Sequence, residues 1–164
     1  MRSTLYCEIL DLLEHDAKVT PEEIAVMTGA SLEQVNEAIA IMEKEKIIVK
    51  YSAIVNREKV ASEEAEALIE VKVVPKRGHG YDELAERIYG FSEVKSVYLM
   101  SGAYDLSVTV RAGSMKQISQ FVFEKLAVLE GVSSTVTHFI MRKYKEQGVI
   151  LTVKEQEERL VISP

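Results

Sequence analysis

Two short polar runs have residue types and spacing suited to chemistry. The first is Ser101, Gly102, Ala103, Tyr104 and Asp105, set between two apolar, β-branched segments. Asp105 is its one acid, and a carboxylate there accepts hydrogen bonds from a ligand's ammonium group or from backbone N–H groups. Gly102 has no side chain, so the amides around it are open to close approach. The same residues also make a plain hairpin turn with Tyr104 packed on a sheet, and the pattern alone leaves both readings open. The second run starts at Ser31 and reads SLEQVNEAIAIMEKEK. With Leu32, Val35, Ile39 and Met42 on one apolar stripe, Ser31, Glu33, Gln34, Asn36 and Glu37 stay exposed near the start of a helix. Gln34 and Asn36 suit the edge of adenine, and Ser31 can bond a phosphate or a base. The plain alternative is a solvated helix surface with its acids near the positive end of the helix dipole.

The elements that must hold the second run are legible from their caps. Residues 4–15 carry Leu5, Ile9, Leu12 and Leu13 at helical spacing. In VTPEEIAVMTG, Thr20 is an N-cap, Pro21 suits the first helical position, Glu23 completes a capping box, and Gly29 ends the helix. Ser31 and Gln34 form a second box. A helix-turn-helix needs a small residue at the crossing, a residue tolerant of positive φ in the turn and an apolar lock on the second helix. Ala25, Gly29 and Val35 supply these at intervals of four and six, although an ordinary helical hairpin has the same order. The next segment, IIVKYSAIVN, is β-branched and reads as a strand or small hairpin, a wing. Lys44, Lys46, Lys50, Tyr51, Arg57 and Lys59 form the local basic group. DNA contact is accordingly expected from Ser31, Gln34, Asn36, Lys44, Lys50, Tyr51 and Arg57.

Around the first run the period changes to two. Residues 67–74 (ALIEVKVV), 94–100 and 106–111 alternate as strands, YDELAERIYGF and MKQISQFVFEKLAVL are amphipathic helices, and VSSTVTHFIMRKY is a last long strand. The order β-α-β-β-α-β implies an α+β, ferredoxin-like four-stranded antiparallel sheet with both helices on one face. Ile69, Val71, Val73, Val108 and Val110 are expected on the other, open face, which then needs a partner. The expected organisation is residues 1–60 as a winged helix-turn-helix, 61–66 as linker, 67–145 as the sheet domain and 146–164 as a tail of two short strands.

Composition narrows the function. Of 164 residues, 47% are hydrophobic and 28% charged, as in a folded chain. No run approaches the roughly 20 apolar residues of a bilayer span, and MRSTLYCEIL lacks a signal-peptide layout, so a cytoplasmic protein without membrane contact is expected. Cys7 is read as a buried thiol. His15, His79 and His138 form no cluster, and no Ser/His/Asp set, phosphate loop or metal-ligand spacing occurs, so neither catalysis, cofactor nor metal is expected. The net charge of −6 opposes nucleic-acid binding. Residues 1–58 hold six bases against eleven acids, a net −5.

The whole pattern resembles the leucine-responsive and asparagine-operon regulators, the Lrp/AsnC family. The most specific piece is VKSVYLMSGAYDLSVTV, whose Gly102, Ala103, Tyr104 and Asp105 match the family's Gly-x-Tyr-Asp turn. GVSSTVTHFIMRKY is similar to its closing strand, with Thr135 and Thr137 at the alternating hydroxyl positions. The resemblance implies a DNA-binding head and an ACT-like sensing domain whose sheets pair face to face. It also implies a homodimer that assembles into a larger ring, often an octamer. A small effector, usually an amino acid, is implied between dimers at Ser101, Gly102, Ala103, Tyr104, Asp105, Thr135 and Thr137. One departure matters: where the family's recognition helix carries Arg or Lys, this chain has Glu37, Ala38, Ala40 and Ile41. An oligomeric sensor whose acidic head binds another protein instead of DNA is the alternative.

Overall fold

The computed structural model describes residues 2–60, 63–74 and 80–152. The chain divides into two compact units, residues 1–55 and 56–164.

The first unit is three helices, α1 (Arg2–His15), α2 (Pro21–Thr28) and α3 (Leu32–Lys44). Both capping boxes form: Thr20 and Glu23 exchange side-chain and backbone bonds at α2, and Ser31 and Gln34 do so at α3. Gly29 stops α2 at φ 71°, where its N–H donates to the Ala25 carbonyl at 3.0 Å. The core is Ile9, Ile24, Val35, Ala38 and Met42, drawn from all three helices. Burial of each larger side chain contributes about 1.5–3 kcal/mol. Ala38 stands in this core where Leu32 was expected; Leu32, the first residue of α3, is 40% exposed. Cys7 is also exposed, against the sequence reading. It lies two residues from buried Ile9, roughly 200° round the helix axis, so the two cannot share a face.

The expected wing is not a strand: residues 47–56 make no ladder. Ile48 packs partly against the helical core, whereas Ile47, Val49 and Tyr51 are exposed. β-branched sequence favours a pleated, half-buried surface, and without a neighbouring strand it has nothing to pair with.

The second unit opens on a short 3-10 turn (Arg57–Lys59) and follows β1 (Ala65–Val73), α4 (Tyr81–Tyr89), β2 (Val94–Leu99), β3 (Leu106–Ala112), α5 (Met115–Phe121) and β4 (Val132–Phe139). The strands form one sheet in the order β2-β3-β1-β4, with every neighbouring pair antiparallel. Beyond α5 the helix continues as a π turn (Val122–Leu126), in which the Ala127 N–H reaches back to the Val122 carbonyl. The extra residue advances the register, leaving Phe123 and Val128 exposed while Leu126 stays buried. The last long strand ends at Phe139, and the chain then makes a hairpin of β5 (Lys145–Glu146) and β6 (Val149–Ile150). Gln147 and Gly148 turn it with φ 42° and 83°, the positive pair that two-residue hairpins favour. The remainder of the expected tail, from residue 153, lies outside the described residues.

The sheet faces are the reverse of the expectation. Ile69, Val71, Val73, Val108 and Val110 are buried beneath the helices with Leu84, Ile88, Leu106, Phe121, Val122 and Leu126. Alternation shows which residues share a face but not which face the helices cover. The opposite face carries Leu68, Glu70, Lys72, Ser107, Thr109, Tyr98, Val136 and His138 by register, a mixed polar and apolar surface.

Gly29 provides a stability test. A Cβ there meets nothing within 4 Å, so substitution costs backbone strain alone. We expect Gly29→Ala to lower stability by about 1 kcal/mol in urea unfolding, with Gly29→Asn recovering most of it because Asn tolerates the left-handed region. Equal losses for both variants would mean that the glycine is needed for another reason.

Candidate functional site

The turn between β2 and β3 is fastened from both sides. The Met100 N–H donates to the Asp105 carbonyl at 2.8 Å, and the Asp105 N–H donates across to the Val71 carbonyl at 3.1 Å. The Asp105 side chain then takes the Val73 N–H on Oδ2 at 2.8 Å, where β1 ends. Lys72 Nζ stands 3.2 Å from the same oxygen and 3.4 Å from Oδ1. The backbone N–H of Val73, followed by the Lys72 ammonium, outweighs partial burial and holds the Asp105 carboxyl below its ordinary value. Oδ1 keeps the greater part of its accepting capacity. Ser101, Gly102 and Ala103 are exposed, Tyr104 is half-buried, and no atom lies within 4 Å of a Cβ placed on Gly102. The turn thus combines accessible amides with a fixed anion and an adjacent cation. Lys72 was missed in the sequence reading; the only signal was a lone cation within an apolar strand.

Thr135 and Thr137 are not brought to this turn within one chain. They pair with Val71 and Ile69 on β4, across β1 from β3 and so roughly 10 Å away, two strand spacings. Their register puts them on the helix-covered face, whereas Lys72 is on the other.

The residues singled out for DNA fall into three groups. Ser31 and Gln34 are engaged with each other: Gln34 Oε1 accepts the Ser31 N–H at 2.9 Å, and Ser31 Oγ accepts the Gln34 N–H at 3.2 Å. This commits the Gln34 acceptor that an adenine contact requires. Asn36, Lys44 and Lys50 are exposed and make no side-chain bond among the described residues. Tyr51 donates its hydroxyl to Glu43 Oε1 at 2.9 Å; burial, then this bond to a carboxylate, pushes its pKa up. Arg57 belongs to the second unit and pairs with Glu64 at 2.8 Å.

A second ionic cluster holds the other end of β1. Glu66 accepts from Arg111 on β3 at 2.8 Å and from Lys143 at 2.6 Å, and Lys143 also reaches Glu146 at 3.1 Å. Burial pushes the Glu66 carboxyl up, but the two cations outweigh it and hold it below its ordinary value. Among the described residues no three His, Cys, Asp or Glu side chains are grouped to hold a metal, and no helix is long and apolar enough to cross a membrane. His79 lies outside the described residues.

Asp105 makes a pH prediction. Its native pKa is depressed below 3.8, so its contribution to stability is complete above that value and fades as pH falls through the native one. Asp105→Asn keeps an acceptor for the Val73 N–H but carries no charge. Urea unfolding should show wild type more stable than Asp105→Asn at neutral pH, with the gap closing in acid. A gap that widened on acidification would contradict this arrangement.

Comparison with known proteins identifies the family. Residues 66–150 match the Lrp/AsnC ligand binding domain. The chain is 49% identical over 158 residues to an uncharacterized HTH-type transcriptional regulator, YugG, of Bacillus subtilis, covering 96% of this chain and 95% of that one. It is 30% identical over 139 residues to the HTH-type transcriptional regulator FL11 of Pyrococcus furiosus, covering 85% and 89%. The crystal structure of the transcriptional regulator NMB0573/L-Met complex from Neisseria meningitidis shares the fold, with a TM-score of 0.69 at 22% identity over 87% of this chain and 91% of that one. With its sensing half matched as a family domain and nearly its whole length aligned to an HTH-type regulator, the chain belongs to the Lrp/AsnC family of DNA-binding transcriptional regulators.

Proposed function

We propose that this protein is a transcriptional regulator in which α2 and α3 form a DNA-binding helix-turn-helix and the ferredoxin-like second unit senses an amino acid. The observation that carries the reading is the α2–Gly29–α3 corner in a chain aligned along its length with HTH-type regulators. A left-handed glycine, two capping boxes and buried Val35 fix the angle of α3, as such a motif requires. Lys44 and Lys50 supply phosphate contacts, and Arg57 joins them when its pair with Glu64 opens.

The effector site is the 101–105 turn. An amino acid presents an ammonium group and a carboxylate. Asp105 Oδ1 receives the first, and the open amides around Gly102, with Lys72, take the second. A neighbour of the same fold is in complex with L-Met, which supports this ligand class. The uncovered sheet face supports assembly through a second copy, and Thr135 and Thr137 complete the site from a neighbouring subunit of a higher oligomer, an octamer in the resemblance. A ligand that prefers one arrangement of copies shifts their population by its differential affinity.

Two measurements test the reading. In DNA titrations at several salt concentrations, Lys44→Ala and Lys50→Ala should each reduce the salt slope by about 1 while weakening all sequences alike. A slope unchanged in both would remove them from the phosphate contacts. In calorimetry against the common amino acids, Asp105→Asn should lose about 10- to 100-fold in affinity, the scale of a hydrogen bond to a charged group. Undiminished binding in that variant, with its circular dichroism unchanged, would refute the site.

A further inference from the structure

The outward stripe of α3 carries two carboxylates and an amide, and no cation. Glu33, Asn36, Glu37 and Ala40 recur at intervals of three, one and three, which places them on one side of the helix, opposite buried Val35, Ala38 and Met42. All four are exposed. Neither glutamate has an ion pair or hydrogen bond among the described residues, and Asn36 has none through its side chain. No cation stands on α3 before Lys44.

In a helix-turn-helix, the N-terminal residues of the second helix meet base edges in the major groove. Guanine shows only the acceptors N7 and O6 there, which Arg or Lys reads; cytosine shows its N4 amino donor, and adenine an N6 donor beside N7. An ionised carboxylate has no proton to give. It repels phosphates and guanine, and finds a favourable partner only in an amino group.

From this we infer that the chain reads its operator from the amino-donor side, with Glu33 and Glu37 accepting hydrogen bonds from cytosine N4 and Asn36 pairing with adenine. The inference rests on the helix-turn-helix reading above. It assigns the missing family cations a consequence: the carboxylates weaken binding to every duplex, and the loss is offset only where a cytosine amino group meets them. Discrimination comes from that penalty on other sequences as much as from the contact itself. Gln34 is largely excluded as a reader, since its Oε1 caps the helix.

The test is selection of bound duplexes from a randomised pool by the full chain at low ionic strength, followed by anisotropy titrations of wild type, Glu33→Gln and Glu37→Gln. Both positions are exposed, and circular dichroism is the check that the variants fold. Wild type should select G·C pairs at the contacted positions and lose about 5- to 150-fold when one is inverted so that guanine O6 and N7 replace the cytosine amino group beneath the carboxylate, the range for a base-edge contact. Replacing its guanine by 7-deazaguanine should leave affinity unchanged, because the cytosine is what is read. At least one glutamine variant should transfer preference from cytosine towards adenine, since Gln can accept from N6 and donate to N7. Equal tightening on all duplexes with unchanged preference would overturn the inference, as the carboxylates would then only repel phosphate. A large loss with 7-deazaguanine would overturn it too. Absence of saturable binding to any duplex would instead overturn the helix-turn-helix reading, and this inference with it.

Discussion

The second unit depends on β1 being hydrogen-bonded along both of its edges. Between β3 and β4, this strand places Ala67, Ile69, Val71 and Val73 under the helices and sets Leu68, Glu70 and Lys72 on the opposite face. Each end of the strand is secured by a carboxylate from the open side. Glu66 draws in Arg111 and Lys143 at one end, and Asp105 takes the Val73 N–H at the other. The first carboxylate ties the β5–β6 segment to the sheet through Lys143 and Glu146. The second ties the 101–105 turn to it. The candidate ligand site is therefore held by the sheet's own hydrogen bonding, as a site needing fixed geometry should be.

Asp105 reconciles two readings that the sequence left apart. A turn aspartate that accepts backbone N–H bonds and one that binds a ligand are usually treated as alternatives. Here one oxygen does the structural work, while the other keeps only a long contact with a half-exposed lysine. Lys72 is also placed to balance the charge of the site when no ligand is present. On the proposed reading, a zwitterion that presents an ammonium group to Asp105 and a carboxylate to Lys72 would exchange one ion pair for two, without stranding either charge.

What was legible in the sequence was local chemistry. Thr20, Pro21, Glu23, Ser31 and Gln34 predict their helix starts because a capping box spans only three residues. Strand alternation likewise placed Ile69, Val71 and Val73 together. It could not say which face the helices would cover, because that depends on where residues far along the chain return. The Lys72–Asp105 pair was hidden for the same reason, its members standing 33 positions apart. Cys7 misled because its helix is rich in apolar residues although its own helical angle points outward. IIVKYSAIVN misled because β propensity needs a partner strand, and none pairs with it among the described residues.

Charge sets the terms on which such a head can work. Six bases against eleven acids over residues 1–58 leave little phosphate attraction, and three of the six, Lys44, Lys46 and Lys50, stand at or beyond the end of α3 with no ion pair among the described residues. Each phosphate neutralised contributes about 0.9 to the salt slope, so a single head gains only weak sequence-independent affinity. Two consequences follow on the proposed reading. Time spent on wrong sequences is short, which makes base contacts decisive even when few. Occupancy of the right sequence then rests on several heads acting together, since linking binding modules multiplies weak affinities through effective concentration without any new contact. An acidic head and an assembling sensor domain are in that sense complementary: the weaker each head is alone, the more completely the arrangement of copies, and any ligand that biases it, governs DNA occupancy.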